Sequence, residues 1–309
     1  MEKLDQNQIS SIVRRAVLEC LATQRSQQAQ AEDPLEIFNS PEANALKEEI
    51  LRIGRKLWQR QYVDGNGGNI SVRISPHYVL CTPTLCSKGD LCREDLSLVD
   101  LDNYQICGDR PQTSEILLHL EIYKAVPAAQ AVIHCHPPYA TAHAVAGVIP
   151  QGNLVPEQEV FVGPVALAPY ETPGTHAFAK TVLPSVKDHN TILLANHGIV
   201  CWADTVTHAE WYVEVVDTYC KTVMIASQLR PKLNEIPPHK IADLLAIKKK
   251  WGLPDPRLAS DPQAVETPAI RTADAASNTA PIRQPANYEV DELVSRLTAE
   301  VSGFLRGTE

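Results

Sequence analysis

The sequence lacks the features that would point to nucleic-acid or membrane binding. Its 309 residues contain no Lys/Arg run longer than the three lysines at 248–250 and carry a formal net charge of -9, so a surface that follows a phosphate backbone is not expected. No basic segment followed by a long apolar one opens the chain. No apolar run approaches the roughly eighteen residues that span a bilayer. We therefore expect a soluble, cytoplasmic protein that binds neither nucleic acid nor membrane.

Two further absences concern nucleotides and sulfur. Neither a GxGxxG nor a GxxxxGK[ST] loop occurs, so the sequence gives no support to a nucleotide-binding core. The eight cysteines form no CxxC pair, which is more typical of reduced, mostly buried thiols than of disulfides or a sulfur metal site. With 44% hydrophobic residues, the chain can still bury a sizeable core.

The composition divides the chain into five parts. Residues 1–23 and 288–309 each place their apolar residues on one helical stripe, which predicts an amphipathic helix at each end. Residues 24–39 are rich in Gln and Ala and predict a linker, and residues 258–287, rich in Ala, Pro, Thr and Asp, predict a disordered one. Between them, residues 40–257 alternate strand and helix signals, which predicts an α/β domain.

Two histidines stand one residue apart at the end of an apolar run, in "AVIHCHPPYATAHA". Side chains at i and i+2 of a strand share a face, so His134 and His136 should converge while Cys135 points away. Pro137 and Pro138 cannot continue an inner strand. We therefore expect the strand to stop there and to leave both imidazoles at its end, where open α/β sheets commonly place ligands.

A third histidine stands in a similar setting. The stretch "TILLANHGIV" predicts an apolar strand that ends at His197, with Gly198 permitting a sharp exit. Three neutral imidazoles at strand ends are an ordinary ligand set for a catalytic zinc ion with an open coordination position. Any one of these histidines alone is more simply a hydrogen-bonded core or surface residue, so the residues by themselves leave both interpretations open.

Six motifs together resemble one family. They are "GGNISVRI", "TPTLCSKGDL", "TSEILLHLEIY", "IHCHPPYATA", "APYETPGT" and "NHGIV", in the order and spacing of the class II aldolase/adducin family, over about residues 43–253. That family includes the fuculose-phosphate and rhamnulose-phosphate aldolases and ribulose-phosphate 4-epimerase. The resemblance implies a three-layer α/β/α domain with a central mixed, mostly antiparallel sheet, here flanked by the tethered amphipathic helices.

The resemblance also implies a reaction and a metal site. It implies one Zn²⁺ per subunit, held by His134, His136 and His197, in a protein that is commonly a homotetramer. Glu115 matches the acidic residue that occupies the open position of the empty site and serves as general acid/base once substrate displaces it. The expected reaction cleaves a 6-deoxyketose 1-phosphate, L-fuculose or L-rhamnulose 1-phosphate, to dihydroxyacetone phosphate and lactaldehyde through an enediolate that zinc stabilises.

Phosphate recognition is expected at the "GGN" and "TS" motifs. Gly67 and Gly68 allow a close backbone approach to an anion, although the pair alone is equally typical of a plain turn. Ser114 is the expected cap of a helix, whose N-terminus favours anions. The nearest cations, Lys88 and Arg73, are interpreted as surface charges or structural pairs. The predicted substrate- and phosphate-binding residues are Gly68, Asn69, Thr84, Thr113 and Ser114.

The sequence departs from the family pattern at three points. Leu85 stands where the family's "TPTG" loop has glycine, at a position that often touches phosphate. Trp251 replaces a tyrosine near the C-terminal end of the fuculose enzyme. That enzyme's proton-donating tyrosine has no match in "NLVPEQEVFVGP", which leaves Glu157, Glu159 and Tyr170 as the candidate proton donors.

Several functions share the implied site. A sugar-phosphate 4-epimerase, a dehydratase or a decarboxylase on the same fold would need the same metal and phosphate sites, so the motifs do not separate them. A non-catalytic, adducin-like binding module would have lost the metal ligands, whereas all four of the implied ligands are present here.

The predicted end helices suggest a partner. A short isolated helix is marginal in water, so an apolar stripe on a flexible arm implies a docking surface, either on its own domain, on a neighbouring subunit or on another protein. The stretch "LDQNQISSIVRRAVLECL" resembles the encapsulation peptides that recruit enzymes into bacterial microcompartments. Our hypothesis is a microcompartment enzyme that binds shell or core proteins through one or both end helices.

Overall fold

The structure is a computed structural model that describes residues 10–16, 33–259 and 297–298. The chain divides into two compact units, one of Pro34–Thr267 and one made of Met1–Asp33 together with Pro268–Glu309. Residues 10–16 and 297–298 are helical. Most of the two predicted end helices and nearly all of the predicted linker 258–287 lie outside the described residues, so these assignments stay predictions. No helix in the described ranges is long and apolar enough to cross a membrane.

An eight-stranded sheet forms the middle layer of the unit Pro34–Thr267. Its strand order is β4-β3-β2-β1-β5-β8-β7-β6. Neighbouring strands are antiparallel except β6 and β7, which are parallel. The predicted mixed, mostly antiparallel sheet is thereby confirmed. The strands are β1 Asn69–Arg73, β2 Tyr78–Cys81, β3 Ser97–Asp100, β4 Gln105–Cys107, β5 Ala131–Cys135, β6 Ala166–Ala168, β7 Thr191–Leu194 and β8 Gly198–Ala203.

Helices cover both faces of the sheet and complete the expected three layers. One face packs against the helices Pro41–Gln59, Pro138–Ala146 and Val206–Leu229. The opposite face packs against Ile116–Ala125 and His176–Lys180. The remaining helical segments of this unit are Pro34–Asn39, Pro238–Lys250, Pro256–Ala259, a 3-10 turn at Arg93–Asp95 and a π-helical turn at Gln158–Val162.

Strand β5 illustrates why the sequence folds in this way. Ala131, Ile133 and Cys135 pack into the core on one face of the sheet, and Val132 packs into the core on the other. A strand that is covered on both faces needs apolar residues at successive positions, because neighbouring side chains point in opposite directions. His134 therefore shares a face with Val132, and Cys135 points away from it as the alternation predicts.

The structure differs from the predicted linker 24–39 at its C-terminal end. Pro34–Asn39 is a helix, and Ile37 and Phe38 pack against the core. The Lys47 ammonium lies 3.4 Å from the centre of the Phe38 ring and donates to the Phe38 carbonyl at 2.7 Å. Two apolar side chains and this contact hold the segment, a tertiary effect that the polar composition of the stretch does not reveal.

Candidate metal centre

The end of β5 brings two of the predicted histidines together. His134 is paired in the sheet between Asn69 of β1 and Val200 of β8. His136 follows the last residue of the strand, and its backbone N–H donates to the Tyr62 carbonyl at 2.8 Å. The two Nε2 atoms lie 3.1 Å apart, so the predicted convergence of His134 and His136 is confirmed.

His197 reaches the same place from a turn and not from the end of a strand. β7 ends at Leu194 and β8 begins at Gly198, so the predicted strand stops three residues short of His197. The turn is tight, with Asn196 at φ 56°. A Cβ atom on Gly198 would lie 2.5 Å from the Cys135 carbonyl oxygen, which explains why only glycine fits there. The His197 ring centre lies 4.6 Å from that of His134.

The hydrogen bonds of His134 and His136 fix which ring nitrogen carries the proton. His134 Nδ1 lies 2.8 Å from the Ile199 carbonyl oxygen, and His136 Nδ1 lies 3.2 Å from Asp64 Oδ1. Both Nδ1 atoms must donate because those oxygens only accept. Burial holds the pKa of His134 well below its usual range, with further lowering from the neighbouring His136 and His197. His134 is therefore a neutral imidazole, and its Nε2 carries a lone pair.

This arrangement fits a metal ion. His134 Nε2, which carries a lone pair, lies 3.1 Å from His136 Nε2, a separation at which one cation can contact both atoms. His134, His136 and His197 each offer one ligand atom, all within 4.8 Å of one another. Burial also lowers the pKa of His197. Neutral imidazoles are the form that binds a divalent ion.

The Glu115 carboxylate lies among these rings. Its Oε2 is 3.3 Å from His134 Nε2, and its Oε1 is 3.6 Å from His197 Nε2. Ser114 is not the helix cap, contrary to expectation: Glu115 occupies the cap position before Ile116–Ala125, and its side chain makes no capping bond. The reason is that the carboxylate is turned away from the helix amides and held by Asn69 Nδ2 at 2.9 Å.

The predicted phosphate-binding residues lie on three segments that are hydrogen bonded to one another. Thr84 N donates to the Pro111 carbonyl at 3.1 Å, and Thr113 N donates to the Thr82 carbonyl at 3.1 Å. The Thr82 hydroxyl in turn accepts from Ile70 N at 3.1 Å. The tertiary structure therefore joins the "GGN", "TPTL" and "TS" motifs into one group of loops beside β1.

Gly67 and Gly68 serve close packing around the histidines. A Cβ atom on Gly67 would lie 3.1 Å from His136 Nδ1. A Cβ atom on Gly68, whose φ is +69°, would lie 2.6 Å from Val63 and 3.0 Å from the His134 carbonyl oxygen. A larger residue at either position would displace the loop that borders the metal centre.

The predicted phosphate-binding side chains differ in their accessibility. The buried Asn69 amide donates to Glu115, and the hydroxyl of the buried Thr113 accepts from Glu115 N at 3.4 Å. Ser114 is exposed and Thr84 is half-buried. Of the candidate side chains, Ser114 and Thr84 are therefore the ones open to a ligand, while Asn69 and Thr113 organise Glu115.

The sequence suggests that Lys88 is a surface charge or part of a structural pair, and the structure contradicts the first of these interpretations. Its side chain is among the largest that are fully buried. Nζ donates to the carbonyls of Asn66 at 3.1 Å and Cys86 at 2.6 Å, and burial lowers the pKa of Lys88 to about 8. Lys88 thus fastens the loop before Gly67 to the "TPTL" loop. Arg73 has a structural role, since its guanidinium donates to the Tyr123 carbonyl at 2.8 Å.

The three candidate proton donors are placed very differently. Glu157 and Tyr170 are exposed, whereas Glu159 is buried. Glu159 Oε1 accepts from Asn153 N at 2.6 Å, and Oε2 accepts from Arg257 at 2.7 Å. Arg257 and the buried Lys248 also pair with Asp255. Both oxygens of Glu159 are therefore committed to an ion-pair cluster that holds the segment around residue 257.

We expect Glu159→Ala to lower the free energy of unfolding by about 3 kcal/mol, because it removes one of the two carboxylates that pair with Arg257 and leaves Asn153 N without its acceptor. The folded variant should keep its turnover. Chemical denaturation checks the first expectation, and steady-state kinetics below the transition checks the second. Glu157→Ala is the matched control and should change neither. A Glu159→Ala protein of normal stability with strongly reduced turnover would restore Glu159 as a proton donor.

Comparison with known proteins agrees with this fold. Residues 48–224 match the family model described as Class II Aldolase and Adducin N-terminal domain. The chain is 36% identical over 183 residues to an L-fuculose phosphate aldolase of Methanococcus maripaludis, covering 59% of this chain and 98% of that protein. It is 32% identical over 185 residues to a 3-oxo-tetronate 4-phosphate decarboxylase of Escherichia coli K12, covering 59% of this chain and 87% of that protein.

Solved structures show the same relationship. An L-fuculose 1-phosphate aldolase superposes with a TM-score of 0.61 at 25% identity, over 68% of this chain and 97% of that chain. YgbL from Escherichia coli superposes with a TM-score of 0.60 at 30% identity, over 65% and 97%. The three-layer fold with a three-histidine centre defines a class of metal-dependent enzymes. The chain belongs to the class II aldolase and adducin family.

Proposed function

We propose that this chain is a zinc-dependent aldolase that cleaves L-fuculose or L-rhamnulose 1-phosphate to dihydroxyacetone phosphate and lactaldehyde. The observation that carries the proposal is the convergence of three imidazoles and one carboxylate, with the Nε2 atoms of His134 and His136 3.1 Å apart. His134, His136 and His197 would hold the ion. When bound, Zn²⁺ supplies a Lewis acid that stabilises negative charge on the ketose oxygens.

We assign the proton transfer in this reaction to Glu115. Its carboxylate touches His134 and His197 and nothing in the ion-pair cluster around Glu159. With substrate bound, the carboxylate would take the proton from the substrate hydroxyl as the carbon–carbon bond breaks and the aldehyde leaves. It would then return that proton to the carbon that becomes the hydroxymethyl group of dihydroxyacetone phosphate. Ser114 and Thr84, the accessible polar residues of the joined loops, are proposed to bind the phosphate.

A second function is favoured by the state of Glu159. Release of an aldehyde requires a base that removes a proton from the substrate hydroxyl. Glu159 is held by Arg257 and Asn153, so Glu115 would have to act as this base as well as the acid. Decarboxylation of a 3-oxo acid 4-phosphate needs no such base. The bond to the carboxylate breaks, carbon dioxide leaves, and the electron pair remains on carbon until Glu115, after taking a proton from solvent, protonates it. The relatives named 3-oxo-tetronate 4-phosphate decarboxylase make this the main alternative.

Product analysis of the purified holoenzyme tests these proposals. The protein is incubated separately with L-fuculose 1-phosphate, L-rhamnulose 1-phosphate, ribulose 5-phosphate and 3-oxo-tetronate 4-phosphate. Lactaldehyde and dihydroxyacetone phosphate in equal amounts would support the aldolase, and carbon dioxide would support the decarboxylase. Conversion of ribulose 5-phosphate to its epimer would support the epimerase. A purified protein without metal and without any of these activities would support the adducin-like module.

We also propose that the enzyme, as a homotetramer, is recruited to a bacterial microcompartment by its end helices. The support is the resemblance of residues 4–21 to encapsulation peptides, together with the helical residues 10–16, where Ile12 is 48% exposed. Confinement would also suit a product as reactive as lactaldehyde. Fusions of residues 1–23 or 286–309 to a fluorescent protein should form puncta only in cells that make the shell. Diffuse fluorescence from both fusions would exclude this role.

A further inference from the structure

A chain of hydrogen bonds leads from Glu115 into the core behind β1. Asn69 Nδ2 donates to Glu115 Oε2 at 2.9 Å, and Asn69 Oδ1 contacts His119 Nε2. His119 Nδ1 lies 2.7 Å from Ser71 Oγ, which lies 2.9 Å from the Tyr123 hydroxyl. His119 and Ser71 are fully buried. Every residue of this series of hydrogen bonds beyond Asn69 is therefore buried away from solvent.

The donor in each of these hydrogen bonds can be assigned because the series begins at the Glu115 carboxylate. A carboxylate only accepts, so Asn69 presents its NH₂ group to Glu115 and its carbonyl oxygen to His119. His119 Nε2 must then carry a proton. Burial lowers the pKa of His119 to about 3, so the ring is neutral and Nδ1 accepts from the Ser71 hydroxyl. Ser71 in turn accepts from Tyr123, and every donor in the chain has an acceptor.

We propose that His119 is a positioning residue for the reaction: its Nε2–H locks the Asn69 amide in the one orientation that holds Glu115 Oε2 and leaves Oε1 for proton transfer. The inference rests on the proposed function of Glu115. Its physical basis is that the two ends of an asparagine amide are nearly equal in size, so packing alone does not decide between them. The reversed amide would set a carbonyl oxygen against the carboxylate.

Locking the amide has a consequence for Glu115. The bond from Asn69 Nδ2 commits Oε2 to the amide. Within the described part of the chain no amide donor meets Oε1, which lies 3.6 Å from His197 Nε2. The chain therefore makes the two carboxylate oxygens unequal. Groups that orient active-site residues in this way are commonly worth about ten- to a hundredfold in activity or metal affinity.

Paired substitutions at His119 separate positioning from mere packing. We expect His119→Leu to lower kcat by about ten- to a hundredfold with little change in KM. His119→Gln should recover most of the loss, because its amide nitrogen can donate to Asn69 Oδ1 near the place of Nε2. Tyr123→Phe is the matched control. It removes the hydroxyl that donates to Ser71 and leaves in place the His119 Nε2–H that donates to Asn69. Unchanged kcat in His119→Leu, or a glutamine variant no better than leucine, would overturn the proposal.

A second measurement on the wild-type holoenzyme does not depend on turnover. Nitrogen-15 NMR of protein labelled at histidine should show His119 as a neutral ring protonated at Nε2 throughout about pH 6 to 8. The resonance is assigned by its absence from His119→Gln. A ring protonated at Nδ1 would contradict the proposed direction of the chain. Should none of the sugar phosphates react, the proposed function fails, while the protonated nitrogen of His119 still decides whether the amide is locked.

Discussion

Purified His134→Ala is expected to contain almost no metal and to show no detectable turnover. The three imidazoles are the histidine ligands that the geometry brings together, and loss of one should cost more than the roughly hundredfold that follows from disturbing a group behind a ligand. His197→Ala should behave in the same way. Metal content is measured by elemental analysis after dialysis against a weak chelator, and turnover with the substrate identified by product analysis.

The fold should persist in these variants, because the apolar residues that form the core on the two faces of the sheet are unchanged. Circular dichroism and thermal unfolding check this point. His208→Ala is the matched control, since His208 is on the exposed side of its helix and pairs with Asp204. Wild-type metal content in either His134→Ala or His197→Ala would disprove the metal site.

Glu115→Gln should keep the metal and lose turnover by about a hundred- to ten-thousandfold, the usual worth of a general acid/base. The amide has the shape of the carboxylate and still accepts from Asn69 Nδ2 through its oxygen. It cannot carry a proton between substrate atoms, however, so binding and chemistry should separate. The measurements are kcat, KM and metal content of the same preparation.

Glu121→Gln provides the control for this substitution, since Glu121 lies on the helix Ile116–Ala125 that follows Glu115. It should leave all three quantities unchanged. Near-normal turnover of Glu115→Gln would assign the proton transfer to another group. Glu157 would then be the first to examine, because the carboxylate of Glu159 is occupied by Arg257.

Which ring nitrogen of a histidine carries the proton could be assigned only once the neighbouring strands were known. Alternation along β5 predicted that His134 and His136 share a face, but only β8 supplies the Ile199 carbonyl that accepts from His134 Nδ1. Sequence also placed His197 at the end of a strand, whereas the tight turn before Gly198 carries it. Local propensity does not reveal how far a hairpin turn extends.

His119 is the functional residue that sequence reasoning missed, although a signal was present. Glu115 and His119 are four residues apart at the start of a helix, a spacing that puts two side chains on one face. The spacing alone does not show that Asn69 of β1 bridges Glu115 and His119, or that Ser71 of β1 contacts the other ring nitrogen of His119. Glu159 shows the opposite error, because its pairing with Arg257, almost a hundred positions later, makes a candidate proton donor structural.

Residue periodicity in the sequence by itself determined the α/β class and the convergence of His134 and His136. Motifs a few residues long determined the family, and the resemblance to that family implied the mostly antiparallel sheet. Only the tertiary structure decided which polar groups are committed to one another. The burial of Lys88, the orientation of the Asn69 amide and the Glu159 ion pair each depend on partners from distant segments. Such partners are set by how helices and loops pack on the sheet, and no local pattern encodes that packing.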